Sequence, residues 1–499
     1  MKLRTAVLTA AAAALALSSV ATTAVAEESA SSTETLKVAT FNASLNRNEA
    51  GQLQTDLATT DNEQAKNVAE TIQRTEPDVV LINEFDYDAE GKSVQLFSDN
   101  YLKQSQNGAP AIDYPYSWSG PVNTGVPSGF DLNNDGEIGG PDDAFGFGMF
   151  PGQYGFVVYS KYPINAEDVR TFQNFLWKDM PDAYLPENAD GTPWYSEEEL
   201  AAMPLSSKTH ADIPVDVNGT TVHVLAAHPT PPSFDGEEKR NQKRNHDEIR
   251  IWSDYVSGKA GYLYDDKGVT GGLETDANFV IVGDYNADPF DGDSWQGAID
   301  QLLNNDNILD PKPTSAGGEE AAAQGGANET HAGDPKYDTA DFNDKPSPGN
   351  LRVDYVLANS SATAVDAGVF WPTRDDELFR LTGEYPFPTS DHRLVWVNFE
   401  FPAAASGTPG PTATPEPTAT PLPTDEEGTT APTATETAGA EVPSATDTPK
   451  PTATDNGRQD AAGKLATTGA SGLPMLVAAA AVAIAGGVAF TLRRRNADS

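Results

Sequence analysis

Carboxylate, amide and imidazole side chains stand at the ends of several apolar segments of this 499-residue chain. Glu84 follows Val79-Val80-Leu81-Ile82-Asn83, and Asp284 follows Phe279-Val280-Ile281-Val282-Gly283. The complete set comprises Asn42, Glu84, His228, Asp284, Asn286, Asp354, Asp391 and His392. Taken singly, each residue also suits a turn or a cap. Together they predict a functional site, because the carboxyl ends of buried strands hold side chains rigidly and leave them open to a ligand.

The composition limits the chemistry of such a site. The chain has no cysteine, which excludes disulfides, thiolate zinc sites, iron–sulfur clusters and a cysteine nucleophile. Only oxygen and imidazole groups remain. The 74 acidic and 32 basic residues give a formal net charge of −42, of which −40 falls on residues 27–403. This balance argues against a broad basic face that binds a polyanion.

The N-terminus and the Pro-rich segment point to export from the cell. Lys2 and Arg4 precede an apolar stretch, and Ala24-Val25-Ala26 suits signal peptidase, so residues 1–26 are predicted to be a signal peptide. Residues 404–464 repeat Pro-Thr-Ala-Thr themes with almost no large apolar side chains. We interpret them as a disordered, extended linker that spans the cell wall.

The C-terminal residues 465–499 resemble a sortase cell-wall sorting signal. Leu465-Ala466-Thr467-Thr468-Gly469 precedes an uncharged segment at 473–492, long enough to span a membrane, and then Arg493-Arg494-Arg495. The resemblance implies that sortase cleaves between Thr468 and Gly469 and joins the chain to peptidoglycan, with membrane attachment before processing. A plain one-pass membrane anchor is the alternative, because Ala466 replaces the commoner Pro. Either way, we expect a location at the surface of a Gram-positive-type bacterium.

Residues 27–403 form the predicted folded domain. Short segments rich in Val, Ile and Phe predict strands, and they are Leu36–Phe41, Val79–Ile82, Gly155–Tyr159, Thr221–Ala227, Phe279–Val282, Val353–Leu357 and Leu394–Phe401. Helices are predicted at Glu63–Arg74 and Arg240–Tyr255, where apolar residues recur on one face. The fold class is therefore α/β.

The strand-end motifs resemble the endonuclease/exonuclease/phosphatase superfamily, the fold of pancreatic deoxyribonuclease and bacterial sphingomyelinases. The matching segments are Ala39-Thr40-Phe41-Asn42, Val80-Leu81-Ile82-Asn83-Glu84, Tyr154 to Ile164, Ala227-His228, Gly283-Asp284-Tyr285-Asn286-Ala287, Arg352-Val353-Asp354-Tyr355 and Ser390-Asp391-His392. Asn83 and Tyr285 depart from the commoner Gln and Phe, and neither departure removes a catalytic group. The resemblance implies a four-layer α/β sandwich, with two mixed β-sheets packed face to face and helices outside.

The resemblance also implies a catalytic divalent cation. Glu84 is a hard carboxylate suited to Mg²⁺ or Mn²⁺, with Asn42 and Asp391 as helpers. The cation would act on a phosphate oxygen as a Lewis acid.

The remaining residues take roles around the reacting phosphate. Asp284 would orient or deprotonate the attacking water, while Asn286 and His228 would donate hydrogen bonds to phosphoryl oxygens. His392, with its tautomer fixed by Asp354, would stabilise the transition state or assist the leaving group.

A second pattern lies in the insertion after the second predicted strand. Oxygen-bearing residues and Gly136 follow the spacing of a twelve-residue calcium loop, and the predicted ligands are Asp131, Asn133, Asp135, Glu137 and Asp142. The segment resembles the EF-hand and dockerin type, and a structural Ca²⁺ is the expected ligand. A solvated Asp/Gly turn is the alternative, because Gly139, Gly140 and Pro141 leave no evident exit helix.

Two weaker candidates are Arg244 and His210. Arg244 lies on the helix after His228 and is a candidate for contacting substrate phosphate, against a solvated helix face as the alternative. His210 is a candidate for reaching the site, against an ordinary surface histidine.

The sequence is compatible with three functions. The first is an extracellular, metal-dependent phosphodiesterase whose substrate includes DNA or RNA. The second is a phosphomonoesterase or small phosphodiester hydrolase, acting on nucleotides, sugar phosphates or lipid headgroups for phosphate scavenging. The third is a non-catalytic surface adhesin on the same fold. We expect a monomer in each case.

Overall fold

A computed structural model of the chain describes residues 35–345 and 347–402. The predicted signal peptide, linker, sorting signal and membrane span at 473–492 lie outside these residues, as do Thr468 and Gly469. Within the described ranges, no helix is both long and apolar enough to cross a membrane.

Fourteen strands occur in the described part of the chain. They are β1 Thr35–Asn42, β2 Val79–Asn83, β3 Tyr116–Trp118, β4 Phe156–Ser160, β5 Arg170–Thr171, β6 Ala211–Val217, β7 Thr220–Ala227, β8 Asn278–Asp284, β9 Ile308–Leu309, β10 Ala340–Asp341, β11 Asn350–Leu351, β12 Asp354–Asn359, β13 Thr363–Val369 and β14 Val395–Glu400.

The α-helices of the same residues are mostly short. They are α1 Gln52–Leu57, α2 Glu63–Thr75, α3 Lys92–Phe97, α4 Glu197–Ala202, α5 Arg240–Tyr255, α6 Asp300–Leu303, α7 Ala316–Ala321 and α8 Phe379–Thr382. The two helices predicted from the sequence are the two longest, α2 and α5. Asn62 caps α2 by accepting a hydrogen bond from the Ala65 amide, which explains why the helix begins at Glu63.

The strands form two six-stranded sheets and one small ribbon. The first sheet has the order β13-β14-β1-β2-β4-β3, and the second has the order β5-β6-β7-β8-β12-β9. Strands β1 and β2 are parallel, as are β7 and β8, while the other pairs are antiparallel. The predicted pair of mixed sheets is confirmed.

Alternation of side chains along the central strands explains the layers. In β8, Val280 and Val282 pack in a cluster with residues of both sheets, whereas Ile281 packs against Ile249 and Trp252 of α5. On the outer side of the first sheet, Val80 and Ile82 of β2 pack in the cluster that contains α2. The molecule is therefore a helix–sheet–sheet–helix sandwich.

This topology brings several strand ends to one edge. Asn42 ends β1, Asn83 ends β2 beside it, and Asp284 ends β8 in the other sheet. Strand β12 runs antiparallel to β8, so its first residue, Asp354, is the register partner of Asp284. Residues far apart in the sequence therefore meet where the two sheets end.

Candidate active site

Asp284 lies at the centre of the site, between the two sheets. Its Oδ2 accepts a hydrogen bond of 3.0 Å from Asn42 Nδ2, which extends from the first sheet. The backbone N–H of Asn286 donates to Asp284 Oδ1 at 2.9 Å. Asp284 is 1% exposed, and these two hydrogen bonds fix both of its carboxylate oxygens.

Two imidazoles flank the same oxygen of Asp284. His228 Nε2 lies 3.4 Å from Asp284 Oδ2, and His392 Nε2 lies 3.6 Å from it. Burial opposes ionisation of Asp284, but His392, His228 and Asn42 outweigh it and lower the pKa of the carboxyl group. Asp284 is therefore a carboxylate at neutral pH, ready to accept a proton or a hydrogen bond from water.

His392 is oriented from behind by Asp354. His392 Nδ1 lies 2.9 Å from Asp354 Oδ2, and Thr339 Oγ1 donates to the same oxygen at 2.8 Å. Burial lowers the pKa of His392, but the charges of Asp354 and Asp284 outweigh it and raise the pKa to about 10. His392 is thus a protonated imidazole at neutral pH, with Nε2 directed at the site.

His228 differs from His392 in its protonation. Burial and the positive charge of Lys208 lower the pKa of His228 to about 4, so its ring is neutral at pH 7. Its Nδ1 is buried without a hydrogen-bond partner among the described residues. The two histidines therefore supply one neutral and one charged hydrogen-bond donor to the same place.

Glu84 lies beside this cluster in a strained backbone conformation. Its φ of 57° is left-handed, which is uncommon for a residue with a long side chain. Asn46 Nδ2 donates to Glu84 Oε2 at 2.7 Å. Burial raises the pKa of Glu84 to about 7, and the charges of Asp391 and Asp284 add to this rise against opposition from His392 and Asn42.

The donor set at Glu84 fits a hard divalent cation. Asp391 carries a buried oxygen, Oδ1, with no hydrogen-bond partner among the described residues, and burial raises the pKa of its carboxyl group. Excess negative charge in a buried place, offered by carboxylate and amide oxygens, is what Mg²⁺ or Mn²⁺ requires.

A second set of side chains has ligand atoms close enough together to bind a metal ion. One ligand atom each from Asp284, Asp354 and His392 lies within 4.8 Å of the others. We favour the Glu84 set, because Asp354 is already engaged by His392 and Thr339 and because hard cations prefer oxygen to a protonated imidazole.

Lys208 is a site residue that the sequence interpretation did not single out. The side chain is only 5% exposed, lines the cleft and has no hydrogen bond or ion pair with the described residues. Burial lowers its pKa against the attraction of Glu248, Glu84 and Asp284. A buried ammonium with free donors, directed into a cleft, is suited to an anionic group of a ligand.

Glu248 of α5 positions the segment that carries Lys208. Its Oε1 accepts from the Ser207 amide and its Oε2 from the Thr230 amide, both at 2.6 Å. Glu248 therefore ties the Lys208 segment to the segment that follows His228. A carboxylate on the inward face of the predicted helix, one residue before Ile249, was the available signal for this role.

Arg244 and His210 lie in the interior rather than on a solvated surface. Arg244 Nε donates to the Leu205 carbonyl at 2.8 Å and its Nη2 donates to the Pro204 carbonyl at 3.0 Å. His210 Nδ1 lies 2.7 Å from Ser206 Oγ, and its Nε2 lies 2.9 Å from the Glu248 carbonyl oxygen. These contacts indicate structural roles for both side chains, although Arg244 also lines the cleft.

In the predicted calcium loop, carboxylate side chains accept hydrogen bonds from backbone amides of the same loop. Asp131 accepts from the amides of Asp135 and Gly136, at 3.0 and 2.9 Å. Asp143, not Asp142, turns inward, and accepts from the Leu132 and Gly139 amides. Asn133, Asp135 and Glu137 lie in the same turn. Among the described residues, no three of the loop's carboxylates have ligand atoms within 4.8 Å of one another.

Calcium binding by this loop remains a prediction with a direct test. If Ca²⁺ draws the carboxylates together, it stabilises the folded chain by mass action, by about 2.7 kcal/mol at a hundredfold excess over the dissociation constant. We expect Ca²⁺ to raise the melting temperature of the wild type but not of Asp131→Ala. Equal shifts in melting temperature in the two proteins would indicate that this segment is a solvated turn that does not bind Ca²⁺.

The site residues line one large cleft of about 1040 Å³. Its walls include Glu84, Lys208, His228, Asp284, Asn286, Asp391 and His392. The volume is at the upper end of the range for small-molecule sites. The cleft therefore has room for considerably more than a phosphate group.

Comparison with known proteins identifies a family to which the chain is similar. Residues 39–392 match the model of the Endonuclease/Exonuclease/phosphatase family. No curated protein matches the chain. Among solved structures, it is similar to an endonuclease/exonuclease/phosphatase from Beutenbergia cavernae, with a TM-score of 0.41 and 18% identity over 74% of this chain and 72% of that one. Similarity to sphingomyelinase C from Streptomyces griseocarneus gives a TM-score of 0.35 and 16% identity, over 73% of this chain and 99% of that one.

Proposed function

Since this chain belongs to the endonuclease/exonuclease/phosphatase family, whose members are phosphoester hydrolases, we propose that it hydrolyses phosphodiester bonds with the help of a divalent cation. The observation that carries this proposal is the arrangement around Asp284. A single carboxylate oxygen faces the amide of Asn42 and the Nε2 atoms of two histidines, beside the buried acid Glu84.

Glu84, Asp391 and Asn42 would hold the cation. When bound, Mg²⁺ or Mn²⁺ would polarise a phosphoryl oxygen as a Lewis acid. The set offers oxygen ligands, and the buried, partnerless Oδ1 of Asp391 supports this assignment.

The chain's own residues would carry out the proton and hydrogen-bond steps. Asp284, ionised at neutral pH, accepts a hydrogen bond from the attacking water and takes its proton as attack proceeds. Asn286 and His228 donate hydrogen bonds to the phosphoryl oxygens as negative charge grows. His392, protonated and held by Asp354, donates a proton to the departing oxygen.

Lys208 would bind a non-bridging phosphate oxygen. We expect Lys208→Met to lower kcat/KM by about tenfold to a hundredfold, because a charge-assisted hydrogen bond contributes about 1.5–3 kcal/mol. Lys208→Arg should retain more activity, since it keeps the positive charge. The measurement is steady-state hydrolysis of a diester chromogen. Unchanged kcat/KM in a folded Lys208→Met protein would remove this residue from substrate binding.

The cleft favours a small phosphodiester over long DNA or RNA. The charge of −40 on residues 27–403 repels a polyanion, and this repulsion acts over a Debye length of about 8–10 Å at ordinary ionic strength. A nuclease activity would need local cations to offset that field. A phosphomonoesterase remains the alternative reaction, and the complete catalytic set opposes a purely adhesive role.

We propose the cellular location from the terminal sequence patterns alone. The pattern at 1–26 and the segment 465–499 support secretion and sortase-mediated attachment to peptidoglycan.

One assay separates the candidate reactions. The purified chain is given plasmid DNA, a diester chromogen and a monoester chromogen, each with Mg²⁺, Mn²⁺ or EDTA. We expect the diester chromogen to be hydrolysed fastest, and only with a metal. Preference for the monoester would favour the phosphatase, and activity on none of them would favour the adhesin.

A further inference from the structure

Two buried polar side chains, one turn apart on α5, hold the backbone behind the candidate site. Asn245 and Glu248 are both 0% exposed, and their spacing of three residues places them on one face of the helix. Neither is among the described residues that line the cleft, so neither would touch a substrate there. Buried polar groups need hydrogen-bond partners. The partners here are backbone groups of the segments that carry the site residues.

Asn245 joins the segments that follow two neighbouring strands. Its Nδ2 donates to the Thr230 carbonyl at 2.8 Å and to the Tyr285 carbonyl at 2.9 Å. Strands β7 and β8 pair in parallel to within one residue of their ends. Asn245 therefore connects the two chains beyond the point where their own ladder of hydrogen bonds stops, and this is where His228 and Asp284 lie.

Glu248 joins one of these segments to Lys208. Its Oε2 accepts from the Thr230 amide and its Oε1 accepts from the Ser207 amide, both at 2.6 Å. Both backbone polar groups of Thr230 are thus bound by α5, the N–H by Glu248 and the carbonyl by Asn245. One turn of one helix therefore holds the segments that carry the buried lysine, the neutral histidine and the central aspartate of the site.

We infer that Asn245 and Glu248 are positioning residues for phosphodiester hydrolysis. Asn245 sets where His228 lies relative to Asp284, and Glu248 sets where Lys208 lies. This inference rests on the proposed function and adds to it two residues that act through others. A displacement of about 1 Å in a reacting group can lower a rate by about a hundredfold, so the loss of either connection should be measurable.

The two side chains should affect different kinetic constants. His228 and Asp284 act mainly as charge develops in the transition state, so Asn245→Ala should lower kcat by about tenfold to a hundredfold and change KM less than about threefold. Glu248→Gln cannot accept from both backbone amides, because only one terminal atom of an amide is an acceptor. Since Lys208 would bind phosphate before the transition state as well, Glu248→Gln should raise KM by about tenfold and lower kcat too.

A double-mutant cycle separates positioning from a general loss of stability. In Lys208→Met the group through which Glu248 acts is gone, so adding Glu248→Gln should raise KM by less than about twofold further. The control, Ser253→Ala, removes another hydrogen bond from α5 to a backbone carbonyl, that of Gln301 at 2.8 Å. It should leave kcat and KM unchanged, and its melting temperature calibrates the cost of one lost helix contact. If Glu248→Gln does not fold, Glu248→Asp replaces it in the cycle, because the shorter acid cannot reach both amides.

Binding of inorganic phosphate gives a readout that needs no turnover. Calorimetric titration of the full chain with phosphate, in the presence of Mg²⁺, should show binding about tenfold weaker in Glu248→Gln than in the wild type. The Ser253→Ala control should bind phosphate as the wild type does.

The outcomes distinguish this inference from the proposed function. Equal phosphate affinity in the wild type and Glu248→Gln, a KM that rises equally with and without Lys208, or an unchanged kcat in Asn245→Ala would overturn the inference and leave the phosphodiesterase intact. Hydrolysis of no diester with any metal would overturn the proposed function, and the phosphate titration would then decide whether Glu248 positions Lys208. A wild type that binds no phosphate would overturn the inference as well.

Discussion

Asp284→Asn is expected to lower kcat on a phosphodiester by about 10²-fold or more, the contribution of general base catalysis. The amide cannot take a proton from water. It would also place an N–H or a weaker acceptor beside donors that now share one carboxylate oxygen, Asn42 Nδ2 and His228 Nε2. Steady-state hydrolysis of a diester chromogen at saturating Mg²⁺ measures the effect.

The control for this variant is Asp366→Asn, which makes the same change at an exposed position of β13. It should leave kcat unchanged, and both variants should retain the wild-type circular dichroism spectrum. A folded Asp284→Asn protein with the wild-type rate would remove Asp284 from the reaction. The same would hold for His392 if folded His392→Ala retained its turnover, since we expect a loss of about 10²-fold there as well.

Glu84→Gln should weaken binding of Mn²⁺ by about a hundredfold, because a neutral amide replaces the principal anionic ligand. Turnover should fall with it and recover in part at high metal concentration. Titration calorimetry with Mn²⁺ measures the affinity directly. Glu90→Gln, an exposed change in the segment that follows β2, is the matched control and should bind as the wild type does.

Metal affinity should also depend on pH in a defined direction. Burial raises the pKa of Glu84 to about 7, so below that pH a proton competes with the metal. We expect the wild-type affinity to fall by up to about tenfold for each pH unit below 7, and to level off above it. An affinity independent of pH between 5 and 7, or unchanged in Glu84→Gln, would place the metal elsewhere.

The candidate site was predictable because it follows from local patterns and strand order. Asn42, Glu84 and Asp284 each end an apolar segment, and the parallel β1–β2 and β7–β8 pairs bring such ends to one edge. The α5 bounds also matched, and Ile249, Trp252 and Tyr255 on the predicted inward face are buried. Local pattern and tertiary structure agree in these elements.

Other elements depend on contacts that the sequence pattern does not reveal. Strand β6 contains Pro214, which argues against a strand, yet Pro214 is tolerated there opposite His223 of β7. Strand β13 is largely exposed and carries an irregularity between Ala364 and Asp366. Strands such as β10 and β11, of two residues each, have no sequence signal of their own.

The site residues that escaped prediction are likewise long-range. Lys208 follows no strand of the predicted set, and its role depends on Glu248, forty residues later, which binds the Ser207 amide. In the segment predicted to bind calcium, Asp143 accepts hydrogen bonds from the Leu132 and Gly139 amides, whereas Asp142, the predicted ligand, does not. Spacing alone could not separate two adjacent aspartates.

We expect water, deprotonated by Asp284, to attack phosphorus in the cleft. Hydrolysis of a phosphodiester by the full chain in ¹⁸O-labelled water, with Mg²⁺ present, tests it most directly. We expect one labelled oxygen in the phosphate product, none in the alcohol, and no turnover with EDTA. Label in the alcohol, or turnover that persists without a divalent metal, would contradict it.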